Sequence, residues 1–161
     1  MKDMIARLHV TLLDVDPAIW QRIEAPAAFT LKPLHDALQR AMGWFDGHLH
    51  HFEISGILYG EPSPDDAEFD RDIVSERKLK LATLAEEGNR LFEYVYDYGD
   101  NWRCAIVIEA LQPALPGVVY PRLVEGARHG PPDDIGGTWG YAEFLEAIAD
   151  PSHERHAELT E

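Results

Sequence analysis

The sequence predicts an α+β fold in a single domain. It consists of a mixed or antiparallel sheet, opened by a strand–strand–helix–strand order, with helices packed on one face. Three observations lead there. Apolar side chains recur with a period of two near Ile5 to Leu13, Ile19 to Ile23, Leu91 to Tyr98 and Trp102 to Ala110. One stripe at helical spacing, Leu31, Leu34, Leu38, Ala41 and Met42, falls between the second of these runs and the next strand. Most of the chain beyond that stripe reads as strand, and an order of this kind builds an α+β layer structure. The 161 residues suit one domain with a sizeable core.

Taken in order, Ile5 to Leu13 and Ile19 to Ile23 form a hairpin across the turn Asp14-Val15-Asp16-Pro17. In the return strand Trp20 and Arg22 point one way, and Ile19, Gln21 and Ile23 the other. Thr30 is the expected N-cap of the helix, Pro33 is tolerated in its first turn, and Gly43 ends it. His48 to Ile54 is the next strand, and Ser55-Gly56 turns it into Ile57-Leu58-Tyr59. Gly60 to Asp72 is acidic and Pro-containing, an exposed loop. Leu79 to Leu84 is short and ambiguous in its pattern. Val118 to Val124 is a further strand, and Glu125 to Gly137 is irregular. A last amphipathic helix begins at Thr138, with Tyr141, Phe144, Leu145 and Ile148 on one side.

The stretch Tyr96-Asp97-Tyr98-Gly99-Asp100-Asn101-Trp102 is the tip of a hairpin. A three-residue loop, Gly99 to Asn101, pairs Tyr98 with Trp102, with Asn101 in the left-handed position such loops need. Parity then sets Tyr96, Tyr94 and Phe92 opposite Cys104, Ile106 and Ile108 on a buried face. Asp97 falls opposite Arg103 as a cross-strand ion pair. On this reading Asp100, Asn101 and the exposed part of Trp102 are left for function.

Net charge excludes more than it suggests. The 29 acidic residues against 14 basic ones give −15, and nucleic-acid binding rests on Lys and Arg neutralising phosphates. Direct binding to nucleic acid is therefore not expected. No apolar run approaches a membrane span, and Met1-Lys2-Asp3-Met4 lacks a signal-peptide layout, so a cytoplasmic protein without membrane contact is expected. Cys104 is the only cysteine, which excludes an intrachain disulfide and a thiolate-rich zinc site within one chain.

His48, His50 and His51 are the candidate metal ligands. On a strand His48 and His50 share a face, and two imidazoles so placed can chelate a divalent metal with nearby carboxylates. The plainer expectation is one histidine buried against the sheet and the others solvated. His35, beside the helix stripe, is expected at the core margin, bonded to a backbone carbonyl. Asp133 and Asp134 stand before Gly136-Gly137 as a carboxylate pair, or simply as part of a turn stiffened by Pro131-Pro132.

Four segments together resemble the plasmid pRiA4b ORF-3-like family. They are Ile19-Trp20-Gln21-Arg22-Ile23; Thr30-Leu31 with Leu34-His35 and Met42-Gly43-Trp44; Tyr96 to Trp102; and Gly130-Pro131-Pro132-Asp133-Asp134-Ile135-Gly136-Gly137 with Trp139-Gly140-Tyr141 and Phe144-Leu145. His48-Leu49-His50-His51-Phe52 and Asp150-Pro151 also fit. The resemblance implies a compact α+β domain and a link to plasmids and mobile elements, without an established activity. Some relatives carry a transposon-resolvase label. Serine recombination needs an activated Ser among arginines and a basic DNA-binding part, neither of which is evident here. Relatives often carry cysteines at the positions of Leu123, Gly130 and Ile135, so a metal site built on those is lost in this chain.

The leading expectation is a non-enzymatic binding or protein-interaction domain. Its cleft lies between the hairpin tip, the His48 to His51 strand and the Pro131 to Trp139 loop. Asp97, Asp100, Asn101, Trp102, Asp133, Asp134 and Trp139 are its ligand-binding residues, selecting a protein or a small cationic ligand, with no cofactor. Two rivals stand beside it: a metal-dependent hydrolase using the histidines and aspartates with a divalent metal cofactor, and a mobile-element accessory protein acting on DNA.

Overall fold

Alternating side chains set β1 (Met4–Leu12) antiparallel to β2 (Ile19–Pro26), with Leu8 opposite Ile23 and Val10 opposite Gln21. The computed structural model describes residues 3–15, 18–44, 46–62, 73–97 and 101–127. Within them β1 and β2 join an eight-stranded sheet with β3 (His50–Ile54), β4 (Ile57–Gly60), β5 (Ile73–Ser75), β6 (Leu91–Tyr96), β7 (Trp102–Pro113) and β8 (Arg122–Ala127). Its order is β5-β4-β3-β6-β7-β1-β2-β8, antiparallel except for the parallel pair β4–β5. The fold is therefore sheet-rich and mixed, with two helices among the described residues, α1 (Leu31–Met42) and α2 (Leu81–Glu86). None of the described helices is long and apolar enough to cross a membrane.

The helix stripe is used as its spacing suggests. Leu31, Leu34, Leu38 and Met42 share one cluster with Leu8, Val10, Ile23, Tyr94 and Ile106 from the strands. Thr30 stands at the N-cap position, but its hydroxyl makes no capping bond. Ser55 and Gly56, both at positive φ, form the two-residue turn between β3 and β4 that left-handed residues favour.

The central hairpin differs from the sequence reading. Five residues, 97–101, connect β6 to β7, and Tyr96 rather than Tyr98 pairs with Trp102. The loop is longer by two residues, so parity is kept and the aromatic face stays buried, but every partner shifts. Tyr94 faces Cys104, and Arg103 faces Val95. The reason is Asp97: it adopts a left-handed φ of 61° and gives its amide to the Leu49 carbonyl at 2.8 Å, leaving the ladder early. Asp97 does not pair with Arg103, which instead meets Glu93 at 2.5 Å and Glu53 at 3.3 Å. Trp102 has no exposed part at all.

Three further differences concern chain breaks. A short strand, β5, and the 3-10 turn Glu76–Lys78 follow the acidic loop and were not legible in it. The ambiguous segment near Leu79 is the helix α2. The late strand begins at Arg122 rather than Val118, directly after Pro121, which has no amide to give a ladder, and it runs through Gly126, where an irregular segment was expected. The free edge of β2 supplies its partners: Gln21 faces Gly126 and Trp20 faces Ala127. The helix expected from Thr138 lies outside the described residues.

Glu24 ties β8 to the sheet. Its carboxylate is 1% exposed and meets Arg7 at 3.0 Å, Arg122 at 2.7 Å and the Gln112 amide at 3.1 Å. Burial pulls its pKa up, but the hydrogen bonds from Arg122 and Arg7 outweigh that and hold it below the ordinary glutamate value. A folded-state pKa below the unfolded one adds stability above the usual carboxylate range, and that stability is lost as pH falls through the folded value. Glu24→Gln should cost about 1.5–3 kcal/mol at neutral pH, the range for hydrogen bonds to charged groups, and less in acid. Urea unfolding at both ends of that range checks it; a gap between the proteins that is independent of pH counts against the assignment.

Candidate metal centre

A polar cluster sits where α1, the loop after it and β3 meet. His35 and Gln39 are four apart on α1, so they lie one above the other on the side of the helix that meets β6. Tyr94 rises between them from the buried face of β6. Its hydroxyl accepts from Gln39 Nε2 at 2.8 Å and lies 2.6 Å from His35 Nδ1. Having received the amide, the phenol has its own hydrogen to give to His35 Nδ1.

The chain then doubles back. Gly43 ends α1 in the left-handed region at φ 75°, and the Trp44 amide returns to the Gln39 carbonyl at 2.8 Å. Trp44 is buried, stacking on Tyr96 with ring centroids 4.8 Å apart. Two further bonds fix the loop: the Asp46 amide donates to Gln39 Oε1 at 2.8 Å, and the Gly47 amide to the Tyr96 hydroxyl at 3.1 Å. The return places Asp46 Oδ1 2.8 Å from His35 Nε2.

β3 brings the third side. Phe52 and Ile54 face the core, so alternation turns His50 to the same side. Its ring lies flat on His35, centroids 3.5 Å apart and planes within 10°. His50 Nε2 reaches Glu76 Oε2 at 2.6 Å. Glu76 belongs to the 3-10 turn after β5 and is 1% exposed, and its Oε1 has no hydrogen-bond partner.

One donor atom each from His35, Asp46 and His50 lies within 4.8 Å of the other two. Burial is the main force lowering the His35 pKa, with the His50 ring adding to it, and Asp46 opposes both. The net shift is downward, so His35 is neutral at pH 7 with a lone pair to offer, as a metal ligand must be. Binding at Nε2 would switch the tautomer: Nδ1–H would then donate to Tyr94, an outer contact of the kind that orients ligating histidines. Burial holds the Tyr94 pKa well above its usual value, so the phenol stays protonated.

The other sequence candidates are dispersed. His48 Nε2 lies 3.5 Å from Asp97 Oδ2, at the mouth of the central hairpin. His51 alternates to the opposite face of β3, opposite Val95. Asn101 is exposed and gives its amide to the Asp97 carbonyl. Trp102 is core. Asp100, Asp133, Asp134 and Trp139 lie outside the described residues. Cys104 is fully buried, and burial pushes its thiol up to about 12, so it offers no thiolate at neutral pH.

Sequence reasoning brought His50 forward but not His35 or Asp46. His35 bonds a phenol and a carboxylate, not the expected backbone carbonyl, and is wholly buried rather than marginal. A signal was there: His35 and Gln39 continue the apolar stripe one position on, so two polar side chains face the core together and need polar partners.

Comparison with known proteins places the chain. It is 43% identical over 157 residues to the uncharacterized protein y4hQ of Sinorhizobium fredii, covering 98% of this chain and 79% of that protein. It also resembles the crystal structure of MM3350, a protein of unknown function from Methanosarcina mazei Go1, with a TM-score of 0.86 and 35% identity over 99% of this chain and 89% of the other. Residues 4–161 match the family described as plasmid pRiA4b ORF-3-like protein. With a match of that extent, and a relative of that identity, the chain belongs to the plasmid pRiA4b ORF-3-like family.

Proposed function

We propose that this chain is a binding domain whose ligand is a divalent transition-metal ion, held by His35, Asp46 and His50. The small cationic partner expected from the sequence is, on this reading, the metal itself. The carrying observation is the convergence of two imidazoles and a carboxylate from α1, the loop after it and β3 within 4.8 Å. Imidazole and carboxylate donors suit zinc, and imidazole also suits iron, copper and nickel.

The stacked rings set a condition. A metal lies in the plane of each imidazole that binds it, and two parallel rings 3.5 Å apart cannot share one. His50 therefore swings out of the stack on binding, while His35, fixed by Tyr94, stays. Protein purified without an affinity tag and dialysed against zinc should carry about one ion per chain. His35→Ala and His50→Ala should each lose it. Metal-free protein after zinc exposure would defeat the proposal.

A further inference from the structure

We infer that Glu76 is the fourth ligand of this centre, so that the site closes around its metal and leaves no position for water or substrate. The inference rests on the metal-binding reading above and decides what kind of metal site it is. Three observations carry it. Glu76 Oε2 touches His50 Nε2 at 2.6 Å but lies outside the trio whose donor atoms fall within 4.8 Å of one another, so it reaches the ion by following the His50 nitrogen as that ring leaves the stack.

The second observation is the partnerless Oε1 of a side chain 1% exposed. An orphaned buried carboxylate oxygen is costly, and a cation is the occupant that removes the cost. The third is charge. Two neutral imidazoles with Asp46 alone leave a divalent ion with one uncompensated positive charge beside a buried carboxylate. Adding Glu76 brings the centre to zero, which suits an ion between the buried His35 and Glu76 with the half-exposed Asp46 on its solvent side.

Catalytic zinc sites keep an open position, whereas structural ones are closed by four protein ligands. Closure thus separates a structural or metal-holding role from the hydrolase expectation. It also makes metal a clamp on the sheet edge, because Glu76 directly follows β5, whose parallel pairing with β4 runs from Leu58 opposite Ile73 to Gly60 opposite Ser75.

Cobalt(II) is the probe, with azide as the test for an open coordination position. The cobalt-loaded wild type should show a visible spectrum indifferent to azide. Glu76→Gln should still take up cobalt, but with a spectrum that azide shifts, and zinc affinity at least about tenfold weaker. A wild-type spectrum that responds to azide overturns the inference whether or not the variant folds. An azide-indifferent Glu76→Gln overturns it too. Failure of the wild type to bind cobalt at all defeats the metal reading itself, a distinguishable result.

Discussion

Trp102→Ala is expected to lower stability by about 3–5 kcal/mol, the range for removing a fully buried large aromatic side chain. At this chain length that corresponds to a fall in Tm of roughly 6–20 °C. Trp102 opens β7 with no exposed surface, opposite Tyr96, and its ring centroid lies 6.3 Å from that of Trp44. Trp44 in turn stacks on Tyr96. The three rings hold the loop that carries Asp46, and truncation leaves a cavity that none of them can fill without leaving its partner. Denaturant unfolding measures the loss, and Trp102→Phe, which keeps a ring, should cost less. A loss below about 1 kcal/mol would mean that the ring is a surface feature, as the three-residue-loop reading supposes.

That contrast shows how much of the fold was legible. Period two and parity are local properties, so the buried face of β6 and β7 was readable from Phe92, Tyr94, Cys104 and Ile106 without knowing the loop. Pair partners were not, because they depend on where the ladder ends. Its end was set by the bond from the Asp97 amide to Leu49, a residue forty-eight positions earlier. The same holds for β8: a free edge on β2 and the buried Glu24 recruit Arg122 and Gly126 into strand, and nothing in the local composition announces that edge. Pro121 alone hinted at where the strand could start.

The candidate centre divides along the same line. His50 stood out because histidines crowd around it, but its neighbours in sequence are not its neighbours in space. His35 is fifteen residues away on a helix, and Glu76 comes after an acidic loop that reads as solvent-exposed. α1, the loop after it and β3 converge within 4.8 Å, and the 3-10 turn reaches His50, only once the sheet order β5-β4-β3-β6 is fixed. What the sequence did contain was the oddity of a histidine and a glutamine on the otherwise apolar inner side of an amphipathic helix. Core packing does not call for either, and both find partners only in the assembled fold.

Zinc at a hundredfold excess over its Kd should stabilise the wild type by about 2.7 kcal/mol, since a ligand that binds only the native state shifts the equilibrium by mass action. In Tm that is roughly 5–11 °C. His50→Ala should abolish the gain, because His35 is then the one imidazole left beside the carboxylates of Asp46 and Glu76, a much poorer zinc set. His48→Ala should keep the gain: His48 belongs to the hairpin mouth, 3.5 Å from Asp97, and lies outside the converging trio. The pair of variants separates two ideas that look alike in sequence. If chelation ran along the strand, as histidines two apart suggest, both substitutions would erase the zinc effect. If it runs across elements, only His50→Ala does, and His35→Ala, nowhere near it in sequence, behaves the same way. Retention of the full zinc gain in His50→Ala would leave the stacked histidines as a packing feature of the core and send the search for a ligand elsewhere.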